Sequence, residues 1–254
     1  MEYFVDEDSI VREIWGKGDT ILFIFAGASA EFALNKAVDW LYYTGRLPND
    51  PLGRLFSTVS YARKIVFSEE GAALNAIDAI AAIHSAVESK RGRSIPDWAY
   101  RDVLFMLIDY SIRSYEVLEH RLSIAEKQEV FNVFFRVGKR MRLQGLPENF
   151  EDFQKMRQSH LEQNLEAGNY TRDLYRRYRK HLGAIRYRLL LETQIYITPK
   201  KVRELLSFRH FSLLSLLLPP YQLSRRINLD QVLRSIILPT EYRAEINSLD
   251  QNRK

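Results

Sequence analysis

The 254-residue chain predicts an all-α protein, and three observations carry that prediction. Apolar residues recur at helical spacing almost throughout, and the residues between the periodic runs are of the kind that start and stop helices. Asn-Gly hairpin turns are absent and no fixed-period repeat is visible, which removes the signals of sheets and solenoids. A composition of 46% hydrophobic and 27% charged residues suits a globular core and argues against disorder. No linker-like stretch divides the chain, so a single helical domain over residues 1–254 with an irregular C-terminal part is expected.

Taken in order, Asp19 is placed to cap a helix through Thr20–Ala26, and Ser29 to cap another that reaches Thr44 and stops at Gly45. Asp50 before Pro51 starts a helix to Phe67, because the carboxylate accepts an orphan N–H and proline fits the first turn. An Ala- and Ile-rich helix from Glu69 to Ser89 follows, closed by the polar stretch Lys90 to Ser94. Pro96 and Asp97 open a long helix through Glu119. Ser123 with Glu126 forms a capping box for a helix to Gln144, stopped by Gly145 and Pro147. The more polar segment Glu148 to Leu182 breaks near Gly168 and Asn169. Beyond Gly183 the pattern weakens. Tyr196 to Pro199 reads as extended, short helices are expected at Lys201–Ser207 and Asp230–Ile236, and Pro219-Pro220 and Pro239 read as breaks.

The formal charge of +5 is concentrated in one place. Between Arg172 and Arg188 stand seven Lys/Arg and a single acid, Asp173, a local excess of +6 that leaves −1 for the remainder. Tyr175, Tyr178 and Tyr187 interleave with them. Such a stretch suits an anionic partner, either a membrane surface or nucleic acid, or is simply a solvated helix face with its tyrosines in the core. Nothing else resembles a nucleic-acid module. Residues 172–218 could make peripheral membrane contact, since the apolar segment His210 to Pro219 follows the basic one; that segment equally suits a buried helix. The first eight residues hold four acids and no basic residue, and the longest apolar run, Ile21 to Ala28, is far below the roughly 20 residues of a membrane span. A soluble, cytoplasmic protein is expected.

The chain has no cysteine, which excludes disulfides, thiolate metal sites and cysteine nucleophiles. Zincin, di-iron, phosphate-loop, dinucleotide and nucleophile-elbow motifs are absent as well. What remains centres on His84. Ile77 and Ile80 precede it by seven and four residues and Val87 follows by three, so it lies on the apolar stripe of its helix. An imidazole among Ala and Ile suits an axial haem ligand, and it equally suits a core histidine bonded to a backbone carbonyl. On the preceding helix Arg54, Thr58 and Tyr61 share one face, with Ser57 at its margin. That face could hold a carboxylate or a bound oxygen species; alternatively Arg54 pairs with a neighbouring acid and Thr58 bonds back to its own helix. His120, His160, His181 and His210 read as surface residues.

The order of these features resembles a known family. Gly18-Asp19, the small-residue stretch Leu22 to Ala33, Asp50-Pro51-x-x-Arg54-Leu55-x-x-Thr58, Val66-Phe67 and His84-x-x-Val87 are similar to the DUF2236 family. This group includes MpaB-type enzymes and latex clearing proteins. Leu122-Ser123-x-x-Glu126, Arg136-Val137-Gly138, Gly145-Leu146-Pro147 and Phe153 look like its later helices, so the resemblance is strongest over about residues 15–165. It implies a helical haem-b fold in which His84 binds the iron and Arg54 and Thr58 lie on the distal side as catalytic residues; Ser57 and Tyr61, with Arg54, are expected to help bind the cofactor. It further implies an oxygenase that acts with dioxygen on an apolar, isoprenoid or otherwise unsaturated substrate. Ser57 stands where latex clearing proteins carry Lys, and Met106 and Leu107 stand near where many members carry a further His. An apolar channel is expected from Phe23, Phe25, Phe32 and the Phe131–Phe135 region. The alternative is a cofactor-free helical binding or scaffold protein that uses the basic segment as its contact surface.

Overall fold

A computed structural model describes residues 2–45 and 49–226. Among the described residues the chain is built from eleven helices, with only two isolated β-bridges, Tyr3 to Glu69 and Asn35 to Leu165. The helices are α1 (Ile10–Trp15), α2 (Gly18–Phe32), α3 (Asp39–Thr44), α4 (Pro51–Phe67), α5 (Glu70–Arg91), α6 (Asp97–Leu118), α7 (Ile124–Arg140), α8 (Phe150–Gln163), α9 (Asn169–Ile197), α10 (Lys200–Leu205) and α11 (Leu214–Arg226). The all-α class is as the spacing predicts.

Local chemistry explains the boundaries that the sequence marks. Asp50 accepts the Gly53 N–H at 2.8 Å and opens α4. Ser123 and Glu126 exchange both bonds of their capping box at the start of α7. Gly92, with φ +67, ends α5 in the left-handed conformation that glycine adopts without strain.

The core lies between α2 and α6, the most extensively packed pair. Trp15 is fully buried there, its ring 6.4 Å from Phe25 and 6.0 Å from Phe134, and its indole N–H donates to Ser111 at 3.2 Å. Gly27 is what allows the close approach. A Cβ at that position would stand 2.3 Å from the Tyr110 ring, closer than any real contact.

Five boundaries differ from the sequence expectation. Asp19 and Ser29 do not start helices: α2 is continuous from Gly18, and the Ser29 hydroxyl donates to the Ala26 carbonyl at 2.9 Å inside it. The expected helix from Ser29 to Thr44 is instead the end of α2, a turn around Asn35, and α3. Burial of Ile24, Phe25 and Ala30 on one helix explains why no interruption occurs. α7 stops at Arg140 rather than Gln144, because Gly138 is wedged against Leu104 and Leu146 and its carbonyl takes the Leu143 N–H at 3.1 Å. The polar segment does not end at Leu182: Gly183 only kinks the helix, with φ +70, after which α9 resumes. Tyr196 and Ile197 are helical rather than extended: Ile195 and Ile197 bury their branched side chains, and Thr198 returns both N–H and hydroxyl to the Gln194 carbonyl. Pro219 and Pro220 lie inside α11, both exposed, so that solvent can take the carbonyls they leave unpaired. The helix expected at Asp230–Ile236 and the break at Pro239 fall outside the described residues.

Candidate functional site

The helices α2 to α7, α9 and α11 line a cavity of 1480 Å³ with mainly apolar walls. Ligand pockets commonly measure about 300–1,000 Å³, so this one has room for more than a single small molecule. Phe23, Phe25 and Phe32 line it, as the sequence leads one to expect, together with Phe134. Phe131 does not: it is buried in the core, stacked 5.5 Å from Phe135.

All five side chains singled out in the sequence face this cavity. Arg54, Ser57, Thr58 and Tyr61 come from α4 and His84 from α5. Arg54 Nη1 donates to Thr58 Oγ1 at 2.8 Å, and the Thr58 hydroxyl donates to the Arg54 carbonyl at 3.1 Å, so Thr58 does bond back to its own helix. The pair thereby holds the guanidinium against α4. The His84 ring lies 5.2 Å from the Tyr100 ring at an angle of 60°, and the Tyr100 hydroxyl donates to Glu88 at 3.1 Å. His84 Nδ1 is buried without a hydrogen-bond partner. The core role, with a bond to a backbone carbonyl, is therefore not seen at that atom. Burial, and then the nearby charge of Arg54, hold the His84 pKa below the ordinary value and favour neutral imidazole. Met106 and Leu107 also line the wall and give it a thioether and an isobutyl group.

A second cluster was not legible in the sequence. His160, expected at the surface, is 4% exposed. One ring nitrogen meets Glu31 at 3.2 Å and the other contacts Asp102. Arg157 forms a two-pronged ion pair with Glu31, 2.6 Å at Nη2 to Oε2, and bonds Asp109 at 3.0 Å. Tyr110 donates to Glu31 at 2.9 Å, while Asn35 and Asn164 both donate to Asp102. The surface assignment fails because α8 turns Arg157 and His160, three residues apart, onto the α2–α6 core. Glu31 is the signal that could have exposed this: it is the lone charge in the otherwise uncharged run Thr20–Asn35. Burial pushes Glu31 up, yet the charge and bonds of Arg157, aided by His160, outweigh it and leave a pKa of about 2. For His160 burial acts downward, and the bonds to Asp102 and Glu31 overcome it, so its pKa is raised. Asn35 lines the cavity and lies between the two regions.

A family described as ER-bound oxygenase mpaB/B′/rubber oxygenase, catalytic domain, matches residues 15–219. The chain belongs to this family. The match runs past the expected limit near residue 165 and takes in the cavity-lining parts of α9 and most of the apolar segment before Pro220. Membership in the mpaB/rubber oxygenase family makes this an oxygenase-type domain. No curated protein and no solved structure matches the chain. Among the described residues no helix is long and apolar enough to cross a membrane.

Proposed function

We propose that the domain is a haem-b-dependent oxygenase that acts with dioxygen on an apolar, unsaturated substrate, with His84 as the protein ligand to iron. The observation that carries this reading is a buried imidazole nitrogen with no partner, on the wall of a large apolar cavity. A buried polar atom left without a bond is unfavourable by about 1–3 kcal/mol, so it marks a group kept for something the protein chain does not itself provide. Among the described residues no three His, Asp or Glu side chains converge to hold a bare ion, whereas a macrocycle needs a single axial imidazole. The lowered pKa of His84 keeps the nitrogen lone pair available near neutral pH. Haem b, when bound, supplies the iron chemistry that activates dioxygen.

The chain's own residues supply the setting. Arg54, pinned by Thr58, places a fixed positive charge in a low-dielectric cavity, suited to stabilising negative charge that develops during reaction. Arg54, Lys90 and Arg186 are the cationic side chains on the described wall and fit the carboxylates of a haem. Phe23, Phe25, Phe32, Met106 and Leu107 exclude water and orient an apolar substrate by shape.

The test is an absorption spectrum of protein produced with a haem supply. A Soret band in the wild type that is lost in His84→Ala is the expected result. A wild type without the band, or a band unchanged by the substitution, overturns the assignment and favours a cofactor-free binding protein.

A further inference from the structure

α11 has two apolar faces. Leu214 and Leu218 are buried and line the cavity, whereas Phe211, Leu213, Leu216 and Leu217 are 53%, 45%, 66% and 58% exposed. From Phe211 to Tyr221 no residue is charged. The helix is nonetheless firmly held. At its start Glu192 of α9 accepts the Leu213 N–H at 2.8 Å and the Ser212 hydroxyl at 3.0 Å. Near its end Tyr221 donates to Asp19 at 3.1 Å and Gln222 to the Val117 carbonyl at 3.0 Å. The outward leucines are thus presented on a fixed helix at the rim of the cavity, and Leu217 belongs to both the rim and the surface.

The exposed charge around it is mainly basic: Glu192 and Asp19, at its two ends, are engaged in the bonds just described, and Glu192 also pairs with Arg209. Arg209 and His210 precede the segment, Arg225 and Arg226 follow it in sequence, and Arg179, Lys180 and Arg188 are exposed on α9, against which α11 packs. An uncharged apolar strip with basic flanks is the pattern of a helix that lies in the headgroup layer of an anionic bilayer. A second copy of the chain fits less well, because two-fold pairing of this face would bring the same basic fringes together.

We propose that the outer face of α11, with the basic residues around it, docks on an anionic membrane surface, so that the cavity rim at Leu217 opens toward the lipid. Delivery of an apolar substrate by this route rests on the oxygenase reading; the docking does not. The experiment therefore measures docking alone, by co-sedimentation of the full chain with phosphatidylcholine vesicles and with vesicles that also contain phosphatidylglycerol. The wild type is expected to pellet with the mixed vesicles and much less with the neutral ones. Phe211→Asp/Leu216→Asp, two positions that do not line the cavity, should lower the bound fraction about tenfold while thermal unfolding is unchanged. Should the Asp pair perturb folding, Phe211→Ser/Leu216→Ser provides the same comparison more gently. Arg179→Glu/Lys180→Glu should abolish the preference for phosphatidylglycerol. Wild type that stays in the supernatant with both vesicles, or an Asp pair that binds as wild type does, overturns the proposal. So does a dimer that the Asp pair dissociates with no vesicle binding, which assigns the face to a second copy.

Discussion

His84 is half-buried with its Nδ1 withdrawn from solvent, His160 is fully buried, and their surroundings push them in opposite directions. Around His84 the wall is apolar, and burial and then the charge of Arg54 lower its pKa and favour the neutral ring, with one nitrogen left unsatisfied. Around His160 stand Glu31 and Asp102, and their bonds and charges raise its pKa and favour the cation. The comparison separates two uses of one residue type. A histidine that supports the fold has both nitrogens engaged, and one that is free to bind something has not.

Substitutions should bring out this contrast. The largest effect is expected from Arg157→Ala, which leaves Glu31 fully buried without its guanidinium while Asp109 keeps Arg113; loss of about 3–5 kcal/mol in urea unfolding is anticipated, enough to threaten folding. His160→Gln should weaken the fold by about 1–3 kcal/mol by leaving carboxylate bonds unmade. His84→Leu should change stability by less than about 1 kcal/mol, since it removes an unsatisfied polar atom, and yet remove the Soret band. If His84→Leu proves as damaging as His160→Gln, the distinction between the two sites collapses. Comparable in size to His84→Leu, Tyr100→Phe keeps the ring beside His84 and removes one bond to Glu88, worth about 0.5–1.5 kcal/mol.

The two histidines also oppose each other in pH. With its pKa raised on folding, His160 contributes stability that is complete below the ordinary value of 6.5 and fades as pH rises through the folded value. His84, with its pKa lowered, contributes stability present above 6.5 that fades as pH falls through its folded value. Glu31 adds stability above its ordinary value of 4.5 that is lost as pH drops toward about 2. Urea unfolding across pH 5–8 should therefore show His160→Gln with a weaker loss of stability toward alkaline pH than wild type, and His84→Leu with a weaker loss toward acid.

The helices, and the shared placement of Arg54, Thr58 and His84 on one wall, were readable because their signals are local. Asp50-Pro51, Ser123-x-x-Glu126 and Gly92 act on backbone groups a few residues away, and Arg54, Thr58 and His84 are defined by spacing on their own helices. The Glu31–Arg157–His160 cluster was not readable, because its partners are separated by more than a hundred residues and meet only when α2, α6 and α8 pack. Pro219-Pro220 misled for a related reason. A proline pair normally ends a helix, but α11 is pinned from outside by Glu192, Asp19 and Val117.

Gly27 sets a dimension. The distance between α2 and α6 is fixed by an absent methyl group, and the same α2 turn carries Phe23, Ala26 and Ser29 on the cavity wall. Any side chain at that position would lever α2 away from Tyr110, and the Tyr110 hydroxyl away from Glu31. One hydrogen atom in place of a carbon thus gauges the width of the chamber and the closure of the ionic cluster together.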